Sequence, residues 1–354
     1  MLGGHGRRCD RPASALPPAG TRGDSAVTPD ALDQAGEGVR GLIGVVIPCY
    51  DSRRFLRDTI ESLVRQTLRP DDVIVIDDGS TDDPESAISD LVQEYHWLRV
   101  VRQENAGVAT ARNRGAALLV DCDFVLFLDA DDMLEATMLE QLASVLQSRP
   151  SAAMAWCLPE FIDEEGRPAT PAVWARRRRR RGIWRVEEVP DEVPETSFAS
   201  LFAIPGIVPS VSLIRTRAFL AAGRWDASFG HGYEDLDLFL RLRLRGDVLF
   251  LPGRLVRYRR HPAQSTSNTD LYWQQEQTLR DRWRDLESLD TRERAMVLDA
   301  WRFWDRRLLI QRAGSVARTR LCDGELWLAL RAVLGGVRIL VRSLVRHHRS
   351  AVRA

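Results

Sequence analysis

The chain has 354 residues, 44% of them hydrophobic, enough to bury a sheet covered on both faces in one large or two modest domains. Basic and acidic side chains number 50 each, with every basic one an arginine, so no overall field draws the molecule to nucleic acid. Cys9, Cys49, Cys122, Cys157 and Cys322 include no CxxC pair, which argues against a disulfide framework or zinc site and fits a reducing compartment.

Residues 1–40 carry Gly, Pro, Ala, Ser and Asp without apolar periodicity and read as a disordered lead, with no continuous apolar segment of the signal-peptide kind. No run of roughly 18 apolar residues occurs, so the expectation is a cytoplasmic protein without a spanning helix. Order begins near Gly41. The β-branched run from Leu42 to Ile47 predicts a buried strand that Pro48 should stop, since proline cannot donate to a ladder. Cys49-Tyr50-Asp51 forms the loop after it. Phe55, Leu56, Ile60, Leu63 and Val64 then recur at helical spacing over Arg53 to Gln66.

The unit repeats. Val73 to Ile76 is a strand ending in Asp77-Asp78-Gly79-Ser80-Thr81-Asp82, followed by a helix over Ser86 to Tyr95 and a strand over Leu98 to Arg102. Asn105-Ala106-Gly107 is a turn, and Ala109 to Val120 a helix bearing Arg112 and Asn113 in its first turns. Phe124 to Leu128 makes a further buried strand, which ends in Asp129-Ala130-Asp131-Asp132. Such alternation predicts an α/β protein with a mostly parallel, doubly wound sheet. The strand ends at Tyr50 and Asp51, at Asp77 and Asp78, and at Asp129 and Asp131 then share one edge, where open α/β sheets bind ligands. Clustered acids there suit a hard cation such as Mg²⁺ or Mn²⁺ with a phosphate-bearing substrate; the plain alternative is acids favouring a helix N-terminus. Neither GxGxxG nor GxxxxGK[ST] follows the first strand, which argues against a dinucleotide fold or ordinary phosphate loop.

Val45-Val46-Ile47-Pro48-Cys49-Tyr50-Asp51, Val75-Ile76-Asp77-Asp78-Gly79-Ser80-Thr81-Asp82, Asn105-Ala106-Gly107 with Ala111-Arg112-Asn113, and Leu128-Asp129-Ala130-Asp131-Asp132 appear in that order. Together they resemble the nucleotide-sugar half of the family 2 glycosyltransferases. The resemblance covers roughly Gly41 to Arg260 and implies a GT-A fold. It also implies that Pro48, Tyr50, Asp51 and Asp78 lie against the donor nucleotide, with Arg112 and Asp129 near the donor and Asp131 on the divalent cation, Mg²⁺ or Mn²⁺. Where the family commonly has Asn, this chain has Asp51.

Past Pro150, Ala153 to Cys157 is a predicted strand and Ile162 to Pro168 a hairpin turn. Arg176 to Arg181 is a run of arginines, by default solvated and self-repelling, alternatively facing an anionic surface. Ile207 to Arg215 reads as a strand and Arg217 to Gly223 as a short helix. Leu236, Phe239, Leu240 and Leu242 give the next helix its apolar face, with Glu234 and Asp235 at its start. That pair is either a favourable first turn or, as in inverting members of the resembled family, the site of the base; Asp235 is the expected base and Glu234 the reserve. A strand over Val248 to Leu251 precedes Tyr258-Arg259-Arg260-His261 with Ser265, where His261 is either structural or, by the resemblance, a ligand of the metal or diphosphate.

From residue 266 the chain turns helical, with Leu326 to His348 carrying Arg331, Arg338, Arg342 and Arg346 on one face. Such a helix would either lie on an anionic membrane or dock on the domain with snorkelling arginines. The expected organisation is a lead over 1–40, a catalytic domain over 41–265 with a nucleotide-sugar half (41–150) and an acceptor half (151–265), and a helical extension over 266–354. The expected activity is metal-dependent, inverting, non-processive transfer from a nucleotide sugar to a carbohydrate or lipid-linked acceptor. Two rivals are a sugar nucleotidylyltransferase, which would normally need a Gly-rich basic loop at 48–51, and a catalytically silent nucleotide-sugar-binding module. The processive signature is incomplete, since Leu279 stands where Gln or Arg opens the motif ending in Arg282-Trp283.

Overall fold

The computed structural model describes residues 41–119, 121–169, 195–203, 207–229, 232–261, 278–279, 281–283, 289–298 and 300. The lead expected over 1–40, the Arg176–Arg181 run, Ser265 and the segment from Leu326 to His348 expected as a basic helix lie outside the described residues. From Gly41 onward the described chain is built on an 8-stranded sheet. No helix among the described residues is long and apolar enough to cross a membrane.

The first half follows the predicted alternation. Strand β1 (Ile43–Cys49) pairs in parallel with β2 (Asp72–Asp77) on one side and with β4 (Phe124–Phe127) on the other, and β2 pairs in parallel with β3 (Leu98–Arg102). β1, β2 and β4 are largely apolar and buried because helices cover both faces of a parallel sheet, while the edge strand β3 is partly exposed. Helix α1 (Arg53–Val64) turns Phe55, Leu56, Ile60 and Leu63 inward. A short helix α2 (Ser89–Glu94) precedes β3. Helix α3 (Val108–Leu118) starts after Gly107, whose φ of +86° glycine adopts without a Cβ penalty. α3 sits close on β1: a Cβ at Gly115 would lie 2.4 Å from Val46 Cγ1.

Pro48 does not end β1. It pairs in register with Ile76, and the strand runs on to Cys49. The Val46 carbonyl accepts from Leu128 of the β4 side and the Cys49 carbonyl from Asp78 of the β2 side. Two residues beyond Val46, Pro48 therefore faces β4, whose last registered pair with β1 is Val46 with Phe127. No ladder bond is asked of its missing N–H.

The second half is mixed rather than parallel. After β5 (Met133–Leu134) and α4 (Met138–Ser148), strand β6 (Ala152–Ile162) runs well past the predicted Cys157. Helix α5 (Phe198–Ala203) and a 3-10 turn at Pro209–Val211 lead into β7 (Ser212–Arg215), so the predicted strand from Ile207 is regular only at its end. β7 lies antiparallel between β4 and β6. After α6 (Thr216–Ala221) and α7 (Glu234–Arg245), β8 (Asp247–Arg259) pairs in parallel with β6 and antiparallel with β5. The strand expected over Val248 to Leu251 continues through Pro252-Gly253 to Arg259, and its pairing with β6 shifts register there.

Direction places the site. Because β7 opposes β4, with Leu126 against Leu213, the turn before β7 arrives at the carboxyl end of β4. Because β8 opposes β5, with Met133 against Arg257, the end of β8 arrives beside Asp131 and Asp132. The tight α3–β1 contact is testable on its own. Gly115→Ala should overpack it, costing about 1–3 kcal/mol, and calorimetry should show a melting temperature lowered by a few degrees with helix content unchanged.

Candidate active site

The carboxyl edge of the parallel strands gathers most of the expected residues. Asp51, at φ +47°, accepts from the Thr81 N–H at 2.7 Å and its hydroxyl at 3.1 Å, so the loops after β1 and β2 are tied together. Tyr50 is half exposed beside it. Asp77 is buried, accepting from the Ser80 N–H and pairing with Arg102 at 2.5 Å. Asp78, also buried, accepts from Gln103 Nε2 (2.6 Å) and from the N–H groups of Ala106 and Gly107 (each 2.9 Å). A carboxylate offers about four acceptor positions, so Asp78 spends most of them on Gln103 and the Asn105-Ala106-Gly107 turn.

Asp129 joins a second cluster. Its N–H donates to the Ser210 hydroxyl at 3.1 Å, the contact brought in by the direction of β7. Its carboxylate accepts from Arg112 Nη2 at 2.7 Å, and Arg112 Nη1 reaches Glu234 Oε1 at 3.3 Å. Arg112 is buried, with its guanidinium 4.5 Å from the centre of the Trp225 ring. Burial works against its charge, but the carboxylates of Asp129 and Glu234 outweigh it and its pKa rises. Asp129 is itself pushed up by burial, against the pull of Arg112. Arg112 Nε and Trp225 Nε1 are buried donors without a hydrogen-bond partner among the described residues, a feature that concentrates at binding sites and around buried water.

The acid pair opens α7 as expected, and its members differ. Glu234 has both oxygens engaged, one by Arg112 and the other by the Gly232 N–H at 2.7 Å. Gly232 (φ +100°) and Tyr233 (φ +67°) make the left-handed turn before the helix, a strained conformation for Tyr233. Asp235 is partly buried and accepts from the Leu236 N–H at 2.7 Å. Burial first, then the neighbouring Glu234 charge, pushes its carboxyl up to about 7. A carboxylate poised there can take a proton at neutral pH, which an ordinary aspartate does poorly.

Asp131 and His261 also meet, with Nε2 and Oδ2 2.9 Å apart, and the His261 ring packs 4.9 Å from that of Phe55. Among the described residues no group of three or more His, Cys, Asp or Glu side chains is arranged to hold a metal. The pair nevertheless fits a cation that takes its other ligands from phosphate and water, as Mg²⁺ commonly does. Adjacent octahedral ligands at about 2.1 Å stand about 3 Å apart, close to the observed separation, and the imidazole favours Mn²⁺ over the oxygen-seeking Mg²⁺.

Three residues in this region escaped sequence reasoning. Asp132 is fully buried, and burial, then the charges of Asp131 and Asp129, raise its pKa well above the usual range. It accepts from the Arg259 N–H at 3.0 Å. Arg259, buried at the end of β8, donates to the main-chain carbonyls of Asp131 (3.0 Å) and Glu164 (2.6 Å) and pairs with Asp58 at 2.9 Å. Asp237 is buried in α7 and binds Arg241 (2.8 Å), Arg282 (3.0 Å) and Trp283 Nε1 (3.2 Å), tying the 281–283 segment to the acid helix. The available signal was a charge on the apolar stripe of a predicted helix or strand end, which marks a buried ion pair.

Residues 44–207 match the family model Glycosyl transferase family 2. Over 122 residues the chain is 35% identical to an uncharacterized glycosyltransferase, YibD, of Escherichia coli, covering 33% of this chain and 35% of that protein. Over 109 residues it is 31% identical to the glycosyltransferase GlyG of Streptococcus pneumoniae, covering 30% of this chain and 36% of that protein. The chain thus spans about a third of the length of these relatives. Among solved structures it is similar to S. aureus TarS, at TM-score 0.53 and 18% identity over 74% of this chain and 43% of that one. For TarS 1-349 in complex with UDP-GlcNAc the TM-score is 0.51 at 15% identity, over 82% of this chain and 90% of that one. The fold is GT-A-like, as the motif order implies.

The raised Asp235 pKa has a consequence for stability that needs no substrate. Between the ordinary aspartate range and pH 7 the folded protein holds a proton that the unfolded chain has lost, so this group makes stability fall as pH rises through that window. Asp235→Asn should flatten that part of the profile and raise stability at pH 8 by a few kcal/mol, read from denaturant unfolding between pH 4 and 8. Identical profiles for the two proteins would mean that Asp235 titrates normally.

Proposed function

We propose that the chain is a family 2 glycosyltransferase that moves a sugar, with inversion and one residue per event, from a nucleoside-diphosphate donor to an acceptor hydroxyl. The acceptor would be a carbohydrate or lipid-linked sugar in polysaccharide or glycoconjugate synthesis. The observation that carries this reading is the pairing, at one sheet edge, of an acid loop beside Asp131 and His261 with a carboxyl at Asp235 pushed up to about 7.

In this reading the nucleotide lies along the edge formed by Pro48, Tyr50, Asp51 and Asp78, where Asp51 and Asp78 hold the loops in place and Tyr50 offers an exposed ring. Asp129, from the end of β4, and Arg112, from α3, face the donor. Asp131 and His261 would hold Mg²⁺ or Mn²⁺, which when bound offsets the negative charge of the departing diphosphate. Asp235 accepts the proton of the acceptor hydroxyl as its oxygen bonds to the anomeric carbon, while the bond from that carbon to the diphosphate breaks. Glu234 is poorly suited to that task because Arg112 and the Gly232 N–H already engage its oxygens. A nucleotidylyltransferase is disfavoured by the loop at 48–51, which lacks glycine and basic residues.

Because TarS has been captured with UDP-GlcNAc, uridine-diphosphate sugars are the first donors to test in a thermal-shift panel with Mn²⁺, where binding raises the melting temperature. Asp131→Ala should abolish the Mn²⁺-dependent part of that shift. Asp235→Asn should keep it and lose transfer by about 10²–10⁴-fold; full turnover in that variant, or full activity in EDTA, would overturn the respective assignment.

A further inference from the structure

The acid pair of α7 is held in place from α3. Asn113 Nδ2 donates to the Trp225 carbonyl at 2.8 Å and the Trp225 N–H donates to Asn113 Oδ1 at 3.0 Å, so one amide side chain closes both main-chain groups of that residue. The Trp225 ring is buried edge-on against Phe127 of β4, with 5.1 Å between ring centres, and the Arg112 guanidinium also lies over it. Arg112 in turn grips Glu234, whose second oxygen holds Gly232 in the turn that aims Asp235. On the far side, Arg241 of α7 donates to the carbonyls of Ala222 and Arg224. The segment from Ala222 to Trp225 is therefore clamped between α3 and α7, and Arg224 (φ +65°) takes up a strained conformation within it.

We infer that Asn113 is a positioning residue for Asp235, acting through Trp225 and Arg112 without touching the reacting atoms. This rests on Asp235 being the base. The charged groups facing Asp235 are Glu234 on its own helix, Arg112 from α3 and Asp129 from the end of β4, and Arg112 alone among them is positive. A planar guanidinium stacked on an indole keeps its orientation only while the indole is fixed. Loosening the Trp225 main chain therefore weakens the one positive charge that favours ionised Asp235, and displaces the turn that carries it. An Asn here is more than a polar surface residue of α3: it converts the helix into the support of an acid more than a hundred residues away.

The test compares Asn113→Ala, and the smaller polar change Asn113→Ser, with the parent enzyme. Donor affinity by titration calorimetry should stay within about twofold, while kcat falls about 10- to 100-fold, the scale of a sub-ångström to 1 Å misplacement. The acid limb of the kcat–pH profile should move to higher pH by about half a unit or more, as expected when a nearby positive charge is lost to a carboxylate. A role in packing alone would lower the melting temperature without moving that limb. Unchanged kcat and an unmoved limb in both variants overturn the inference, as does a loss confined to donor affinity. If neither variant folds well enough for kinetics, the stability–pH profile between pH 4 and 8 reports the same Asp235 titration and must shift in the same direction. An acid limb that survives Asp235→Asn overturns the parent reading; one that vanishes in Asp235→Asn but stays unmoved in Asn113→Ala overturns only the role of Asn113.

Discussion

A buried arginine surrounded by carboxylates organises this molecule. Arg112 sits in the core beside Trp225 with Asp129 and Glu234 as ion-pair partners and Asp235 close by. Taking such a group out of water costs several kcal/mol before its partners repay it, and removing one partner from a buried pair costs about 3–5 kcal/mol. The end of β4, the middle of α3 and the start of α7 are thus obliged to keep their relative positions. Those are the elements from which the proposed donor edge and the proposed base come, so the charge balance at this place also sets the geometry of the candidate site.

The same logic recurs on either side. Arg259 stitches the acid loop to β8 through the Asp131 carbonyl and presents His261 two residues on, while Asp58 takes up part of its charge. Asp237 fastens the 281–283 segment to the acid helix through Arg282 and Trp283. In each case a charged side chain is buried with well-placed partners and no longer faces solvent, so its contribution is to specify one arrangement of loops more than to add net stability. The exposed pairs, such as Arg57 with Glu61 and Asp90, are the screened kind that contribute little.

The division of labour within the acid pair follows from environment. Glu234 and Asp235 are adjacent on the chain, yet the left-handed turn at Tyr233 directs Glu234 onto Arg112 and the Gly232 N–H. One acid is committed to holding the site, and its charge then helps raise the pKa of the other. The two like groups differ because one is engaged by hydrogen bonds while burial and its neighbour's charge raise the proton affinity of Asp235.

The alternation of apolar strands and amphipathic helices up to Ser148, the acids at the strand ends and the likeness to family 2 glycosyltransferases were all legible in the sequence. Period and local composition are properties of contiguous residues. The later part was legible only in pieces, because nothing in Ser212–Arg215 states that this strand runs antiparallel beside β4, and nothing in Val248 to Arg259 states that it is one strand whose register shifts at Pro252-Gly253. Pro48 misled because its effect depends on which neighbour its missing N–H faces. The pairing of Arg112 with Glu234 across 122 positions, of Asn113 with Trp225 across 112 and of Arg259 with Asp131 across 128 has no local signature. Sequence alone determined which side chains were available; burial and the meeting of distant charges, which only the tertiary structure decides, determined which of them come together and how Asp235 and Arg112 hold their protons.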